Sequence, residues 1–117
     1  MRYVSLANDR VMINNLLETV LDSGYSNFWV KVSNRPKSVN LDYYSLIEKF
    51  DAILLEDSED PEEVWTLSRD KMIDGFRILD ERNREAFERI SRNHGEWDAE
   101  DADQWLQYSL FQTIVYS

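Results

Sequence analysis

Cysteine is absent from the 117 residues, so disulfides, thiolate metal sites and cysteine nucleophiles are excluded together. A single histidine, His94, cannot assemble a multi-histidine metal centre. Glycine and proline are scarce, at three and two residues, which argues against a linker-rich or repeat-built chain. Gly24, Gly75 and Gly95 stand alone, so there is no glycine-rich loop to cradle a phosphate. No apolar run approaches the length that spans a bilayer. Asn8, Asp9 and Arg10 interrupt the N-terminal stretch, which therefore lacks the apolar centre of a signal peptide. These absences lead us to expect a cytoplasmic protein that carries no cofactor and no metal and does not contact a membrane.

What remains is enough for one domain. The chain is 43% hydrophobic and 13% aromatic, too apolar for a disordered acidic tail and long enough to bury a core. We read residues 1–117 as a single domain, either monomeric or homodimeric. Met12 offers a second start, which makes residues 1–11 a candidate N-terminal extension.

Charge is the first positive feature. The balance of 13 basic against 23 acidic residues gives −10, and the excess lies wholly after residue 50. Two runs contain no base. Residues 51–63 hold Asp51, Glu56, Asp57, Glu59, Asp60, Glu62 and Glu63, and residues 96–103 hold Glu96, Asp98, Glu100, Asp101 and Asp103. Such a field repels phosphate, so direct binding of nucleic acid is excluded first.

Apolar spacing predicts a helix over residues 9–23, with Ile13, Leu16, Leu17, Val20 and Leu21 on one face. Asn8 is its expected cap and Gly24 its expected end. A short strand follows around residues 28–33, then a loop at 34–38 in which Pro36 extends Arg35. Leu41, Tyr44, Ile47 and Phe50 suggest a short helix over 41–50. Apolar runs at 52–57 and 64–67 flank a polar segment containing Pro61, the pattern of a β-hairpin. Ser68 then caps a helix with Met72, Ile73, Phe76 and Leu79 on one face. Asn83 interrupts it, Ala86, Phe87 and Ile90 mark another helix, and His94 with Gly95 ends that one. Asp98 caps a last helix over 99–115, with Ala102, Trp105, Leu106, Leu110 and Ile114 inward and Phe111 and Val115 on its other side. The expected class is α+β: an N-terminal helix, a small antiparallel sheet with a hairpin near 52–67, then three C-terminal helices. Leu16, Val20, Phe76, Leu79, Trp105, Leu106 and Leu110 are its expected core.

Each acidic run has a plain reading and a functional one. The 57–63 segment lacks the glycine and the spaced ligands of a calcium loop, so a solvated hairpin tip is expected there. Asp98, Glu100 and Asp101 favour the positive end of a helix dipole. Nothing in that run points to the burial that a catalytic carboxylate pair needs. No G-x-S-x-G motif accompanies Ser68, Ser91 or Ser109, so we expect no catalysis. As binding surfaces the candidates are the acids Glu56, Asp57, Glu59, Asp60, Glu62, Glu63, Glu100, Asp101 and Asp103, and the aromatic group Tyr25, Phe28 and Trp29 near a turn.

Asp98, Ala99, Glu100, Ala102, Asp103, Leu106 and Gln107 form D-A-E-x-A-D-x-x-L-Q, and Leu110, Phe111, Ile114, Val115 and Tyr116 form L-F-x-x-I-V-Y. Together they resemble a C-terminal signature of small acidic proteins of phages, prophages and plasmids, in which glycine takes the place of Ser117. Residues 16–29 and 67–76 resemble the same family, and the likeness covers about residues 12–117. It transfers no activity and no site residue. It implies an accessory protein of a mobile element, at work in the cytoplasm of a bacterial host. In that setting surface carboxylates can stand in for phosphates in a host protein's basic groove. The expected function is therefore a DNA mimic of the anti-CRISPR or anti-restriction type, which binds a host defence or nucleic-acid-processing protein. The alternatives are an interaction protein in host takeover or phage assembly, and a small-ligand sponge.

Overall fold

The computed structural model describes residues 4–5, 8–33, 42–92 and 96–117. The expected loop at 34–38, Leu41, His94 and Gly95 lie outside the described residues. The architecture is α+β, in the expected order. Helix α1 (Arg10–Asp22) precedes strand β1 (Val30–Val32) and helix α2 (Tyr43–Phe50). Strands β2 (Ala52–Asp57) and β3 (Val64–Ser68) form the hairpin, and α3 (Arg69–Arg82), α4 (Arg84–Ser91) and α5 (Ala99–Phe111) complete the chain.

Helix α1 buries Met12, Ile13, Leu16, Leu17, Val20 and Leu21, two neighbours on each turn of a 3.6-residue repeat. Its N-cap position is Asp9 rather than Asn8, and the Asp9 side chain makes no capping bond to the helix but turns back to accept the Ser5 amide at 2.8 Å. Val4, Ser5 and Asp9, all within the candidate extension, thus take part in the fold. Gly24 carries φ +88, the left-handed turn that only glycine adopts without strain.

The sheet is antiparallel in the order β1-β2-β3, with Leu55 opposite both Val32 and Trp65. Val30, Ile53, Leu55 and Leu67 face the helices and are buried, while Lys31, Leu54 and Thr66 face outward. Helix α1 packs on β1, α2 on β2, and α3 and α5 on β3. Arg69 joins two of these elements: it donates to Asp51 Oδ1 at 3.0 Å and to the Ile47 carbonyl at 3.2 Å, which closes α2. Asp42 caps the other end of α2. Its burial works against ionisation, but hydrogen bonds from the Ser45 amide and hydroxyl outweigh this and hold its pKa below the usual carboxylate value.

Helices α3 and α5 meet closely enough that a Cβ on Gly75 would lie 1.9 Å from Ser109 Oγ. Phe76 stacks on Trp105 with centroids 5.1 Å apart, and the Trp105 indole donates to the Met72 carbonyl at 3.3 Å. Leu16, Val20, Phe76, Leu79, Trp105 and Leu106 are buried as expected, and Leu110 is half-buried.

Three expectations about helical faces are corrected. Ile73 is exposed, and Gly75 takes the inward position against Ser109. Helix α5 stops at Phe111 because Gln112 adopts left-handed backbone at φ 62. Ile114 therefore belongs to a non-helical tail and is exposed, as is Val115.

Candidate functional site

The hairpin tip is shaped by two aspartates. Asp57 Oδ1 accepts the Glu59 amide at 2.8 Å and Asp60 Oδ1 accepts the Glu62 amide at 3.1 Å, successive Asx-type turns that carry the chain round Pro61. Glu59, Asp60, Glu62 and Glu63 are exposed. Among the described residues, the side chains of Glu59, Glu62 and Glu63 have neither a hydrogen-bond nor an ion-pair partner. Glu56 and Asp57 are successive strand residues, so they point to opposite faces of the sheet. Glu56 shares the outer face with Lys31, its partner in the ladder, and Asp57 faces the aromatic side. Of these two candidate acids, each therefore belongs to a different face of the sheet.

The second run divides more sharply. Glu100 is exposed, but Asp101 and Asp103 are only 3% and 6% exposed, against the expectation that this run is a solvated surface. Asp101 closes a capping box with Asp98 and accepts a bidentate pair from Arg89, Nε at 2.7 Å and Nη2 at 2.8 Å. Those bonds hold the Arg89 proton more firmly than usual, against the opposing effect of burial. Asp103 sits deeper in a network. One oxygen accepts from the Ser26 hydroxyl and from Trp29 Nε1 at 2.8 Å, and the other from Gln107 Nε2 at 2.6 Å. Both residues leave the list of surface acids.

Trp29 leaves the list of exposed aromatics, since it is 1% exposed. Tyr25 and Phe28 remain on the surface at 49% and 53%. Trp29 packs in an aromatic group with Trp65, Phe111 and Tyr116, and its closest ring contact is a stack on Tyr116 at 4.9 Å. The tail is held there by Gln107, whose Oε1 accepts the Val115 and Tyr116 amides at 2.8 Å and whose Nε2 donates to the Tyr116 carbonyl at 2.8 Å.

Tyr116 connects the two acidic runs. Its hydroxyl lies 3.5 Å from Asp57 Oδ2, at the limit of a hydrogen bond. Burial, then Asp57, Glu63 and Glu59, raise its pKa above the ordinary phenol value. Tyr25 is raised in the same direction, first by desolvation and then by Glu100, Asp103 and Asp98. Both tyrosines line one open cavity of about 430 Å³ along α5, together with Arg82, Asn83, Glu100, Asp103, Gln104, Gln107, Tyr108 and Ile114. The α5 members 100, 103, 104, 107 and 108 recur at helical spacing, so a single stripe of the helix forms the floor. The negative potential of both runs thus reaches one aromatic-walled groove.

Among the described residues, no group of three or more His, Asp or Glu side chains is arranged to hold a metal ion. No described helix is long and apolar enough to cross a membrane. Comparison with protein-family models, with curated proteins and with solved structures gives no match.

Proposed function

We propose that this chain is a non-catalytic accessory protein of a mobile element that binds a host protein through its acidic face. The preferred target is a defence or nucleic-acid-processing protein of the kind that anti-CRISPR and anti-restriction proteins inhibit, with a basic groove in which carboxylates replace phosphates. One observation carries the reading. Glu59, Glu62, Glu63 and Glu100 are exposed with no ion-pair partner among the described residues; Glu100 lines the groove that Tyr25 and Tyr116 share, and the field of Glu59 and Glu63 reaches Tyr116. Isolated charges on a stable domain contribute little to folding, so their arrangement around exposed aromatic surface favours a binding role. The C-terminal D-A-E-x-A-D and L-F-x-x-I-V-Y pattern supplies the mobile-element setting.

Binding of this kind weakens steeply with salt and competes with nucleic acid for the same groove. The test is capture of a host protein from a bacterial lysate on the immobilised chain, followed by elution with a salt gradient and, separately, with double-stranded DNA. The expected result is a captured protein that either treatment releases and that the E59Q/E62Q/E63Q variant fails to retain. A captured protein that DNA does not displace, or that the neutralised variant holds equally well, contradicts mimicry.

A further inference from the structure

We propose that the groove along α5 is the seat for an arginine side chain of the protein partner, stacked on the exposed Tyr25 ring and paired with Glu100. The inference rests on the reading of the chain as a binder of a basic partner, and it names the residue type that the groove admits. The cavity of about 430 Å³ lies within the range of ligand pockets, roughly 300–1,000 Å³, and it is open to solvent. Tyr25 supplies a half-exposed ring whose hydroxyl has no hydrogen-bond partner among the described residues, and the half-buried Tyr116, stacked on Trp29 with its hydroxyl beside Asp57, closes the other end of the lining. Glu100 is an exposed carboxylate in the same lining. It has no ion-pair partner among the described residues.

Rings beside a free carboxylate match a guanidinium better than any other protein cation. The guanidinium is planar and weakly hydrated, so it stacks on an aromatic face while its edge donates to the carboxylate. A lysine ammonium would gain the charge but lose the stacking and the bidentate fork. An anionic ligand would meet the combined field of Glu100, Asp98 and the hairpin tip. The buried Asp103 carboxylate is already bonded to Ser26, Trp29 and Gln107, so it adds negative potential and stiffness without moving. Among the described lining residues Arg82 alone is cationic, and it has no carboxylate within ion-pair distance. It weakens the site for a cation, which gives the proposal a variant expected to improve binding.

The probe is acetyl-Gly-Arg-Gly-amide, titrated into the full chain by NMR, with the lysine and citrulline tripeptides as controls. Expected are amide shifts confined to Tyr25, Glu100, Gln104, Tyr108 and Tyr116, with affinity in the millimolar range suited to a single side chain. The lysine peptide should bind about threefold more weakly, and neutral citrulline should give no saturating shifts. E100Q and Y25A should each weaken binding by about three- to fivefold and R82Q should tighten it about twofold, the scale of one partly exposed charge or stacking contact. Shifts no larger for arginine than for citrulline, shifts spread over the hairpin tip, or an affinity unmoved by E100Q would overturn the proposal. The E59Q/E62Q/E63Q variant separates this from the broader reading. It should lose the captured host protein yet keep the peptide affinity within about twofold, since its charges act on the groove only at a distance. If the tip variant loses the host protein while the groove ignores arginine, the groove is wrong and the acidic face stands. If it keeps the host protein, the acidic face is wrong.

Discussion

At the hairpin tip Glu59, Glu62 and Glu63 point into solvent with no partner among the described residues, whereas on α5 Asp101 and Asp103 lie buried beneath Arg89 and Trp29. The two segments are alike in composition, acidic and free of bases. Their fates differ because a helix rotates each successive residue by about 100°, so that some acids of a continuous run must face inward. Those that do persist only where donors meet them. Asp103 has three such donors and Asp101 a bidentate guanidinium. A turn imposes no inward face, and the tip carboxylates stay in water. Acid count is therefore a poor guide to an acidic binding surface.

The largest test of the comparison is Asp103→Ala. It strips a buried oxygen pair from Ser26, Trp29 and Gln107 and unsettles the residue that holds the tail, so unfolding in urea should show a loss of about 3 kcal/mol or more. A loss under about 1 kcal/mol would place Asp103 with the surface acids after all. Asp101→Ala should cost less, about 1–3 kcal/mol, because the Arg89 side chain it abandons is 38% exposed and can rehydrate. A double-mutant cycle with Arg89→Ala should recover most of that loss as coupling. E59Q/E62Q/E63Q should shift stability by no more than about 0.5 kcal/mol, with any change towards greater stability as like charges are relieved.

The smallest effect concerns the phenols. Because Tyr116 and Tyr25 are raised above the ordinary value near 10 in the folded chain, their protonated forms stabilise the fold. That contribution is fully present below the unfolded pKa and is lost as pH rises through the folded one. Spectrophotometric titration should therefore show these two tyrosines ionising later than the phenols of the unfolded chain. Neutralising the tip should bring Tyr116 down and leave Tyr25 where it is, since Tyr116 feels Asp57, Glu63 and Glu59 while Tyr25 feels Glu100, Asp103 and Asp98.

The element order was legible in the sequence because its signals are local: Ser68, Asn83 and Asp98 act as caps, and Met72, Phe76 and Leu79 recur at helical spacing. The end of α5 was not, since L-F-x-x-I-V-Y continues the apolar spacing and only the left-handed Gln112 turns the tail back. The site was half legible. Tyr25 and the tip glutamates could be singled out from turn chemistry and charge. The burial of Trp29 and Asp103 depends on a bond between residues 74 positions apart, and no local pattern carries such a pairing. The groove itself could have been anticipated in part, because 100, 104 and 108 fall on one side of the last helix.

The division between bonded and free carboxylates is tested most directly by one competition measurement. A labelled DNA duplex is bound to the captured host protein, and its displacement by this chain is followed at several salt concentrations. The account requires that the unmodified chain release the duplex, with a potency that falls steeply as salt rises, and that E59Q/E62Q/E63Q release little at any salt while remaining folded. Equal displacement by the unmodified and neutralised chains would contradict it, and would show that the free acids at the hairpin tip serve solubility alone.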